Sequence, residues 1–253
     1  MTDNKKRIAI ITGATSGIGQ ATARRFVAEG IQVVGNGRTA QKLEELEQEL
    51  GDTFCGVAGD AADEAVLDSL FETAMERFGR EADIVVANAG RGLGGTVKDS
   101  DLAEFKDMLN INVTGTLALI QKAALRLVEK QKTGFPDSAA DILILGSVVG
   151  KHISPFSAVY GASKFAVHAL AEGLRRDIGP KGVRVSLVQP GIVISGFQAG
   201  AHYSDELVDS FHEKFGPLPT CEDIANAMYA VVSQPPHVNI SDICVRPTRQ
   251  NYP

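Results

Sequence analysis

The sequence predicts an α/β fold, in which about seven parallel strands form one doubly wound sheet with helices on both faces. Short runs of β-branched residues alternate with longer stretches of helical periodicity along the chain, which is the pattern of a parallel sheet with crossover helices. No linker rich in Pro, Gly or Ser and no internal repeat divides these elements. The composition, with 44% hydrophobic and 22% charged residues in 253, is typical of a globular protein. We therefore expect residues 1–253 to form a single domain.

Short apolar runs rich in β-branched residues mark the predicted strands. These runs lie at residues 8–12, 31–35, 54–58, 84–87, 142–145, 183–188 and 243–245. Between them, apolar residues recur at helical spacing, and glycine commonly follows the last turn of a helix. Gly30, Gly51 and Gly79 are therefore expected to end three helices, and Asp63 is expected to cap the start of the last of these.

The second half of the chain contains three further helical stretches. Residues 113–128 are apolar on several faces, so we expect burial on more than one side, either in a subunit interface or deep within the chain. A helix is predicted from about residue 158 to residue 178, because Gly179 and Pro180 follow it. Residues 191–216 are expected to form an irregular loop and an amphipathic helix that cover a cleft, with a plain surface excursion as the alternative.

Charge and hydropathy exclude two classes of partner. The chain has 25 Lys and Arg against 31 Asp and Glu, a formal net charge of −6, so it lacks a basic field for nucleic acid or an anionic membrane. No run of about 18 apolar residues is present to span a membrane. Cys55, Cys221 and Cys244 form no C-x-x-C pair, which argues against a disulfide framework and a structural zinc site. A cytoplasmic location is the simplest expectation.

A glycine-rich turn directly follows the first predicted strand and precedes a helix. It contains Gly13, Gly17 and Gly19. Glycine permits a sharp turn and lets the backbone approach a pyrophosphate, whose charge then lies at the N-terminal end of the helix. This strand–turn–helix placement predicts a dinucleotide site of the Rossmann type rather than a structural turn.

The residues after the second strand indicate which dinucleotide binds. An acidic residue there would bind the ribose hydroxyls of NAD, but residues 35–39 contain Arg38 and no acid. A guanidinium suits the dianionic 2′-phosphate of NADP, which a carboxylate would repel. Arg38 therefore predicts NADP(H) as the cofactor, with a solvated loop residue as the alternative.

Three polar residues in the second half predict a catalytic group. Tyr160 and Lys164 are four residues apart in a predicted helix, so their side chains lie on one face. Ser147 follows a strand at its carboxyl end, where open α/β sheets bind ligands. Hydride transfer from a nicotinamide to a carbonyl leaves an alkoxide that must be protonated as it forms. We expect Tyr160 to act as the general acid and base. Lys164 is expected to lower the pKa of the Tyr160 phenol.

Together these motifs resemble the short-chain dehydrogenase/reductase family over essentially the whole chain. The turn has a threonine-led Gly-x-x-x-Gly-x-Gly spacing that begins at Thr12, and the asparagine of the family's active site corresponds to Asn112. The resemblance implies that Ser147 donates a hydrogen bond to the substrate oxygen and that Lys164 also binds the nicotinamide ribose. It further implies that Asn112 holds a water that passes protons to Lys164.

The resemblance also implies the remaining cofactor contacts and the assembly. Ser16 is expected to help hold the 2′-phosphate, and Asp60 is expected to lie near the adenine. The complete expected cofactor set is Gly13, Thr15, Ser16, Gly17, Ile18, Gly19, Arg38, Asp60, Asn88, Ala89, Gly90, Tyr160, Lys164, Pro190, Gly191, Val193 and Ser195. A homo-oligomer is implied, with a tetramer favoured over a dimer, in which the helices at 113–128 and 158–178 form a four-helix interface.

The substrate is a small molecule whose identity the sequence defines least. A mostly apolar pocket is expected from Leu93, Val149, Phe156, Phe197 and Tyr203, which suits a ketone or aldehyde and the matching alcohol. An alternative is a 3-hydroxy-acid or serine-type dehydrogenase, whose ending is similar to residues 245–248, with Arg91 or Lys151 attracting a carboxylate. A further alternative is an NADP-sensing regulatory protein without catalysis.

The five histidines show no spacing typical of a metal site. His168 is expected to pack within the fold. His152 and His202 either border the substrate or lie in loops.

Overall fold

The computed structural model describes residues 7–154, 157–201 and 203–252. Strands and helices alternate along this part of the chain. The strands are β1 (Ile8–Ile11), β2 (Gln32–Gly37), β3 (Phe54–Ala58), β4 (Ile84–Ala87), β5 (Ala140–Leu145), β6 (Val183–Pro190) and β7 (Asp242–Val245). The helices are α1 (Gly17–Ala28), α2 (Ala40–Leu50), α3 (Glu64–Phe78), α4 (Leu102–Leu109), α5 (Thr116–Gly134), α6 (Ala158–Ile178), α7 (Phe197–Gly200), α8 (Asp205–Phe215) and α9 (Cys221–Val232).

The strands form one seven-stranded sheet in the order β3-β2-β1-β4-β5-β6-β7, with every pair parallel. The predicted fold class is confirmed. The strand order reverses between β1 and β4, and open sheets of this type bind ligands in the crevice at the carboxyl ends beside such a reversal. The site is therefore expected at the ends of β1, β4, β5 and β6.

Alternate residues of the central strands pack into two apolar layers, one on each face of the sheet. In β1, Ile8 and Ile10 belong to the layer covered by α3, α5 and α6, while Ala9 and Ile11 belong to the layer covered by α1, α2 and α9. A strand buried on both faces must be apolar at every position, which explains the unbroken β-branched runs.

The helix boundaries follow the local signals that predicted them. The Asp63 carboxylate accepts the Ala65 N–H at 2.9 Å and caps α3. Gly79 ends α3 in the left-handed region at a φ of +75°. Gly30 and Gly51 also have positive φ beyond the ends of α1 and α2. The helix predicted at 158–178 is confirmed as α6.

Residues 113–128 are not packed deep within the single chain, and the alternative of a subunit interface stays a prediction. A π-helical turn over Asn110–Gly115 leads into α5, which buries Leu119 and Leu127 against the sheet. Leu125 points away from the sheet and is 77% exposed. Within one chain, α5 is buried on a single face because β4 and β5 lie only on that side.

A buried ion network lies at the amino ends of the central strands, opposite the expected site. The Asp141 carboxylate of β5 accepts two hydrogen bonds from Arg184 of β6, at 2.6 and 2.8 Å. Arg7 also pairs with Asp141. Burial of these three charges is tolerated because each is paired.

Among the described residues, none of the helices has the length and hydropathy needed to span a membrane.

Candidate active site

The glycine turn lies between β1 and α1 and leaves its backbone open. Gly13 and Gly17 have φ of +67° and +54°, which favours glycine at both positions. A Cβ at Gly19 would overlap the Gly13 carbonyl oxygen. Ser16 precedes α1, is exposed and makes no capping hydrogen bond with its side chain. This arrangement fits a pyrophosphate at the positive end of α1.

The segment after β4 holds the turn in place. The Asn88 and Ala89 N–H groups both donate to the Thr12 hydroxyl at 3.1 Å. The Asn88 side chain donates to the Thr12 carbonyl at 2.8 Å. Gly90 is exposed next to them. Thr12 therefore positions the segment after β4 against the glycine turn, a role that the sequence motif alone did not indicate.

Arg38 directly follows β2 beside the turn. The Ala14 N–H donates to the Asn36 carbonyl at 2.7 Å, and this bond joins the turn to the end of β2. The Arg38 side chain is exposed and forms no ion pair with any residue that the structure describes. Asp60, beyond β3, is also exposed and accepts the Ala62 N–H at 2.9 Å. The edge that would meet an adenosine ribose thus carries one unpaired guanidinium.

The predicted catalytic residues meet at the carboxyl end of β5. Ser147 lies just beyond this strand, and Tyr160 and Lys164 lie one turn apart on α6, where both are buried. A hydrogen bond joins the side chains of Ser147 and Tyr160. The Lys164 Nζ donates to the Leu145 carbonyl at 2.7 Å and lies 5.9 Å from the centre of the Tyr160 ring. Ser147, Tyr160 and Lys164 therefore form one polar group at the end of the sheet, in which Tyr160 and Lys164 are buried.

Burial dominates the protonation of this group. It raises the pKa of the Tyr160 phenol, and the Ser147 hydrogen bond opposes this change only in part. Burial also lowers the pKa of Lys164 to about 8. In this structure the Lys164 ammonium donates to the Leu145 carbonyl, and the expectation that it lowers the pKa of Tyr160 stays a prediction. Tyr160 thus holds its proton at neutral pH.

Asn112 lies in the π-helical turn, almost fully buried, and its amide groups contact Arg91 and Ser163. Its Oδ1 accepts the Arg91 N–H at 2.8 Å. Its Nδ2 donates to the Arg91 carbonyl at 2.9 Å and to the Ser163 hydroxyl at 3.1 Å. The side chain thereby joins the segment after β4 to α6. Its role in holding a water stays a prediction.

His168, expected only to pack, contacts the backbone of Ser147, the predicted catalytic serine. Its Nε2 accepts the Ser147 N–H at 3.3 Å, and the ring fills the space that a Cβ at Gly146 or Gly150 would need. Burial, together with Lys164, lowers the pKa of His168 to about 4. A neutral imidazole can accept this hydrogen bond, whereas an imidazolium cannot.

A cavity of about 390 Å³ adjoins Ser147 and Tyr160. One side is formed by residues that the sequence predicted to contact the cofactor, which are Ile18, Pro190, Gly191, Val193 and Ser195. The other side is formed by Val149, Phe197 and Tyr203 together with one face of α8. The segment 191–216 therefore lies over a cleft in this structure, as one of the two sequence interpretations expected.

Two residues expected to border the substrate do not line the cavity. Leu93 packs behind its wall, in an apolar cluster with Met108, Val149 and Tyr160. His152 is exposed beyond Ser147 and is also absent from the cavity wall. Phe156 and His202 lie outside the described residues.

Neither basic residue proposed to attract a carboxylate reaches the cavity. Arg91 pairs with Asp107 at 2.6 Å and also with Glu104. Lys151 lies 3.7 Å from Asp242. Acidic residues on α4 and β7 therefore pair with both side chains, and neither lines the cavity.

The C-terminal segment contacts the turn after β6, on the side of the cavity where the cofactor is expected. No local sequence pattern predicted this contact. The Gln250 side chain accepts the Ile192 N–H at 3.1 Å, and the Gly191 N–H donates to the Val245 carbonyl at 2.7 Å. Tyr252 donates to the Ile153 carbonyl across the cavity mouth. The turn after β6 is therefore held by residues 245–252.

A family model described as short chain dehydrogenase matches residues 7–204 of the chain. The chain belongs to the short-chain dehydrogenase family of oxidoreductases. It is 38% identical over 247 residues to serine 3-dehydrogenase from Agrobacterium fabrum, an alignment that covers 96% of this chain and 94% of the relative.

Solved structures with a similar fold align with nearly the full length of this chain. A serine dehydrogenase complexed with NADP+ is 28% identical with a TM-score of 0.86, covering 97% of this chain and 96% of that chain. A 3-ketoacyl-(acyl-carrier-protein) reductase from Brucella melitensis complexed with NADH is also 28% identical with a TM-score of 0.86, covering 96% and 98%. In this short-chain dehydrogenase, Ile18 at the start of α1 lines the same cavity as Ser147 and Tyr160.

Proposed function

We propose that this protein is an NADP(H)-dependent oxidoreductase that interconverts a carbonyl compound and an alcohol by hydride transfer. One observation carries the proposal: the buried hydroxyl of Tyr160, hydrogen-bonded to Ser147, faces a cavity whose other wall is the turn after β6. That turn continues the crevice that begins at the glycine turn. A nicotinamide bound along this crevice would supply or accept the hydride.

The protein's own residues would manage the proton. In the reducing direction, Tyr160 gives its phenolic proton to the carbonyl oxygen while Ser147 donates a hydrogen bond to the same oxygen. The raised pKa of Tyr160 keeps this proton available at neutral pH. In the oxidising direction Tyr160 must be deprotonated, and the Lys164 ammonium one helical turn away stabilises the phenolate.

Arg38 supports NADP(H) over NAD(H). The glycine turn suits either dinucleotide, and the two similar structures described above were complexed with NADP+ and with NADH respectively. The difference between the cofactors is the 2′-phosphate, which needs a cation at the end of β2. Arg38 supplies an exposed guanidinium without a competing carboxylate among the described residues. Ser16, with an uncommitted side chain, is proposed to assist it.

The Tyr160→Phe variant tests the catalytic proposal. We expect it to keep NADPH binding, measured by the fluorescence of NADPH, and to lose at least about a hundredfold to ten-thousandfold in kcat with ketones, aldehydes and 3-oxo acids. Tyr229→Phe removes the same atom from α9, away from the cavity, and should leave kcat unchanged. Wild-type kcat in Tyr160→Phe would refute the assignment. Tight NADPH binding without turnover of any carbonyl would favour a cofactor-sensing protein.

A second candidate is a dehydrogenase of carboxylate-bearing hydroxy acids. The 38% identity to a serine 3-dehydrogenase over nearly the full chain favours it. The chemistry at Tyr160 would be the same, and the difference would lie in what holds the carboxylate. Oxidation of a panel of hydroxy acids, compared with their neutral esters, distinguishes the two candidates.

We also propose a homo-oligomer, a tetramer or else a dimer, assembled through α5 and α6. Leu125 on α5 and Phe165 on α6 are 77% and 41% exposed in the single chain, and large apolar side chains on adjacent helices favour such an interface. Light scattering should report two or four chains, and Leu125→Asp should dissociate them. A monomer at micromolar concentration would refute this assembly.

A further inference from the structure

One face of α8 forms the cavity wall farthest from the glycine turn. Leu207, Ser210, Phe211 and Lys214 all line the cavity, and their spacing places them on one side of the helix. Lys214 is the charged member of this face. Among the described residues that line the cavity, it is also the one side chain with a formal charge.

Lys214 has no acidic partner in the described ranges of the chain. The same helix carries four carboxylates, on Asp205, Glu206, Asp209 and Glu213, all exposed. No ion pair to Lys214 is formed by any of them or by another described residue. Its ammonium is therefore available to an anion in the cavity.

A wall of aromatic rings separates Lys214 from the reacting hydroxyl. The rings of Tyr160 and Phe197 are 5.2 Å apart, those of Phe197 and Tyr203 are 6.3 Å apart, and those of Tyr203 and Phe211 are 6.2 Å apart. Phe211 lies one helical turn before Lys214. A substrate that reaches both Tyr160 and Lys214 must lay an apolar body along these rings.

The described lining of the cavity offers no carboxylate to pair with an amino group. None of the lining residues in the described part of the chain is Asp or Glu. The ammonium of an amino acid would lie without a counter-ion among the lining residues and would be repelled by the like charge of Lys214. This wall thus suits a carboxylate and disfavours a zwitterion such as serine, although similar proteins are serine dehydrogenases.

We propose that Lys214 binds the carboxylate of the substrate, and that the substrate is a hydroxy or oxo acid with an apolar body between its reacting carbon and its carboxylate and with no amino group. This inference rests on the proposed function and names its substrate class. Lys214 would act as a specificity residue, while Tyr160 performs the proton transfer.

The matched probes are para-acetylbenzoate and its methyl ester. The reaction adds hydride from NADPH to the acetyl carbon and the Tyr160 proton to its oxygen, and it yields para-(1-hydroxyethyl)benzoate and NADP+. We expect wild-type protein to prefer the acid, and Lys214→Met to raise the KM for the acid about tenfold relative to the ester. Lys106→Met, an exposed lysine on α4 outside the cavity, is the control and should leave this ratio unchanged.

Calorimetry with NADP+-loaded protein provides a readout independent of turnover. We expect para-acetylbenzoate to bind wild type about tenfold more tightly than Lys214→Met, with the affinity for NADP+ unchanged. Equal binding to both proteins overturns the inference, as does no binding to either. A loss of NADP+ affinity in Lys214→Met would assign the lysine to a cofactor phosphate instead.

Two further outcomes separate this inference from the proposed function. A higher kcat/KM for oxidation of L-serine than of para-(1-hydroxyethyl)benzoate overturns the substrate class while leaving hydride transfer intact. Reduction of neutral ketones with an acid-to-ester ratio that Lys214→Met does not change has the same meaning. If wild type turns over no carbonyl or alcohol at all, the proposed function itself fails.

Discussion

Reversal of the charge at Arg38 is expected to change the cofactor preference. The guanidinium is exposed at the end of β2 and has no ion pair among the described residues, so its full charge is available to a 2′-phosphate. Two unit charges about 4 Å apart in water interact by about 1 kcal/mol, and the phosphate carries about two negative charges. Arg38 then attracts it by about 2 kcal/mol, and an aspartate would repel it by a similar amount.

The expected change in free energy is therefore about 4 kcal/mol, and salt screening reduces it toward about 2 kcal/mol. Since about 1.4 kcal/mol is tenfold, the ratio of kcat/KM for NADPH to that for NADH should fall about thirtyfold to a thousandfold in Arg38→Asp. NADH lacks the phosphate, so its own kcat/KM should change little.

Initial rates with both cofactors, at low and at physiological salt, measure this ratio. Lys42→Asp makes the same change of charge on α2, close to Arg38, and controls for long-range electrostatics. A ratio that stays within about twofold of wild type in Arg38→Asp, or that falls equally in Lys42→Asp, would show that Arg38 does not bind the phosphate.

Two further predictions concern stability. Burial, with Lys164 and Lys151 opposed by Asp242, holds the pKa of His168 at about 4 in the folded chain, against about 6.5 when unfolded. The unfolded chain then binds more protons between these values, so the free energy of unfolding should fall as the pH drops through this window, by about 1 kcal/mol at about pH 5 after allowance for solvent screening. Urea unfolding should show a smaller fall in His168→Gln, and an equal fall would contradict the assignment. Asp141→Asn should lower the free energy of unfolding by about 3–5 kcal/mol, because it leaves Arg7 and Arg184 buried without a counter-charge; a loss below about 1 kcal/mol in the same assay would show that water or the backbone compensates them.

The central strands could be predicted because each is a short run buried on both faces, and such runs are rich in β-branched residues. Their ends were harder to predict. β5 begins at Ala140, two residues before the expected start. Asp141 has the composition of a loop residue, and only Arg7 and Arg184, far away in the chain, make its burial possible. Pairing across such separations leaves no local pattern.

The residues of the candidate site also fall into those that a local sequence pattern predicts and those that it does not. Tyr160 and Lys164 could be found by helical spacing, and Ser147 by its position after a strand. The hydrogen bonds of His168 to the Ser147 N–H and of Gln250 to the Ile192 N–H join separate segments of the chain, so no local pattern encodes them. Lys214 was not predicted, because the amphipathic pattern of α8 is recognised from its apolar residues and does not single out a lysine.

The most direct test of the central claim is a crystal structure of the complex with NADP+. We expect the Tyr160 hydroxyl and C4 of the nicotinamide to face each other across the cavity, about 4 to 5 Å apart, which leaves room for one carbonyl group between hydride donor and proton donor. A nicotinamide turned away from Tyr160, or a phenol that points into bulk solvent in every subunit, would contradict hydride transfer at this site.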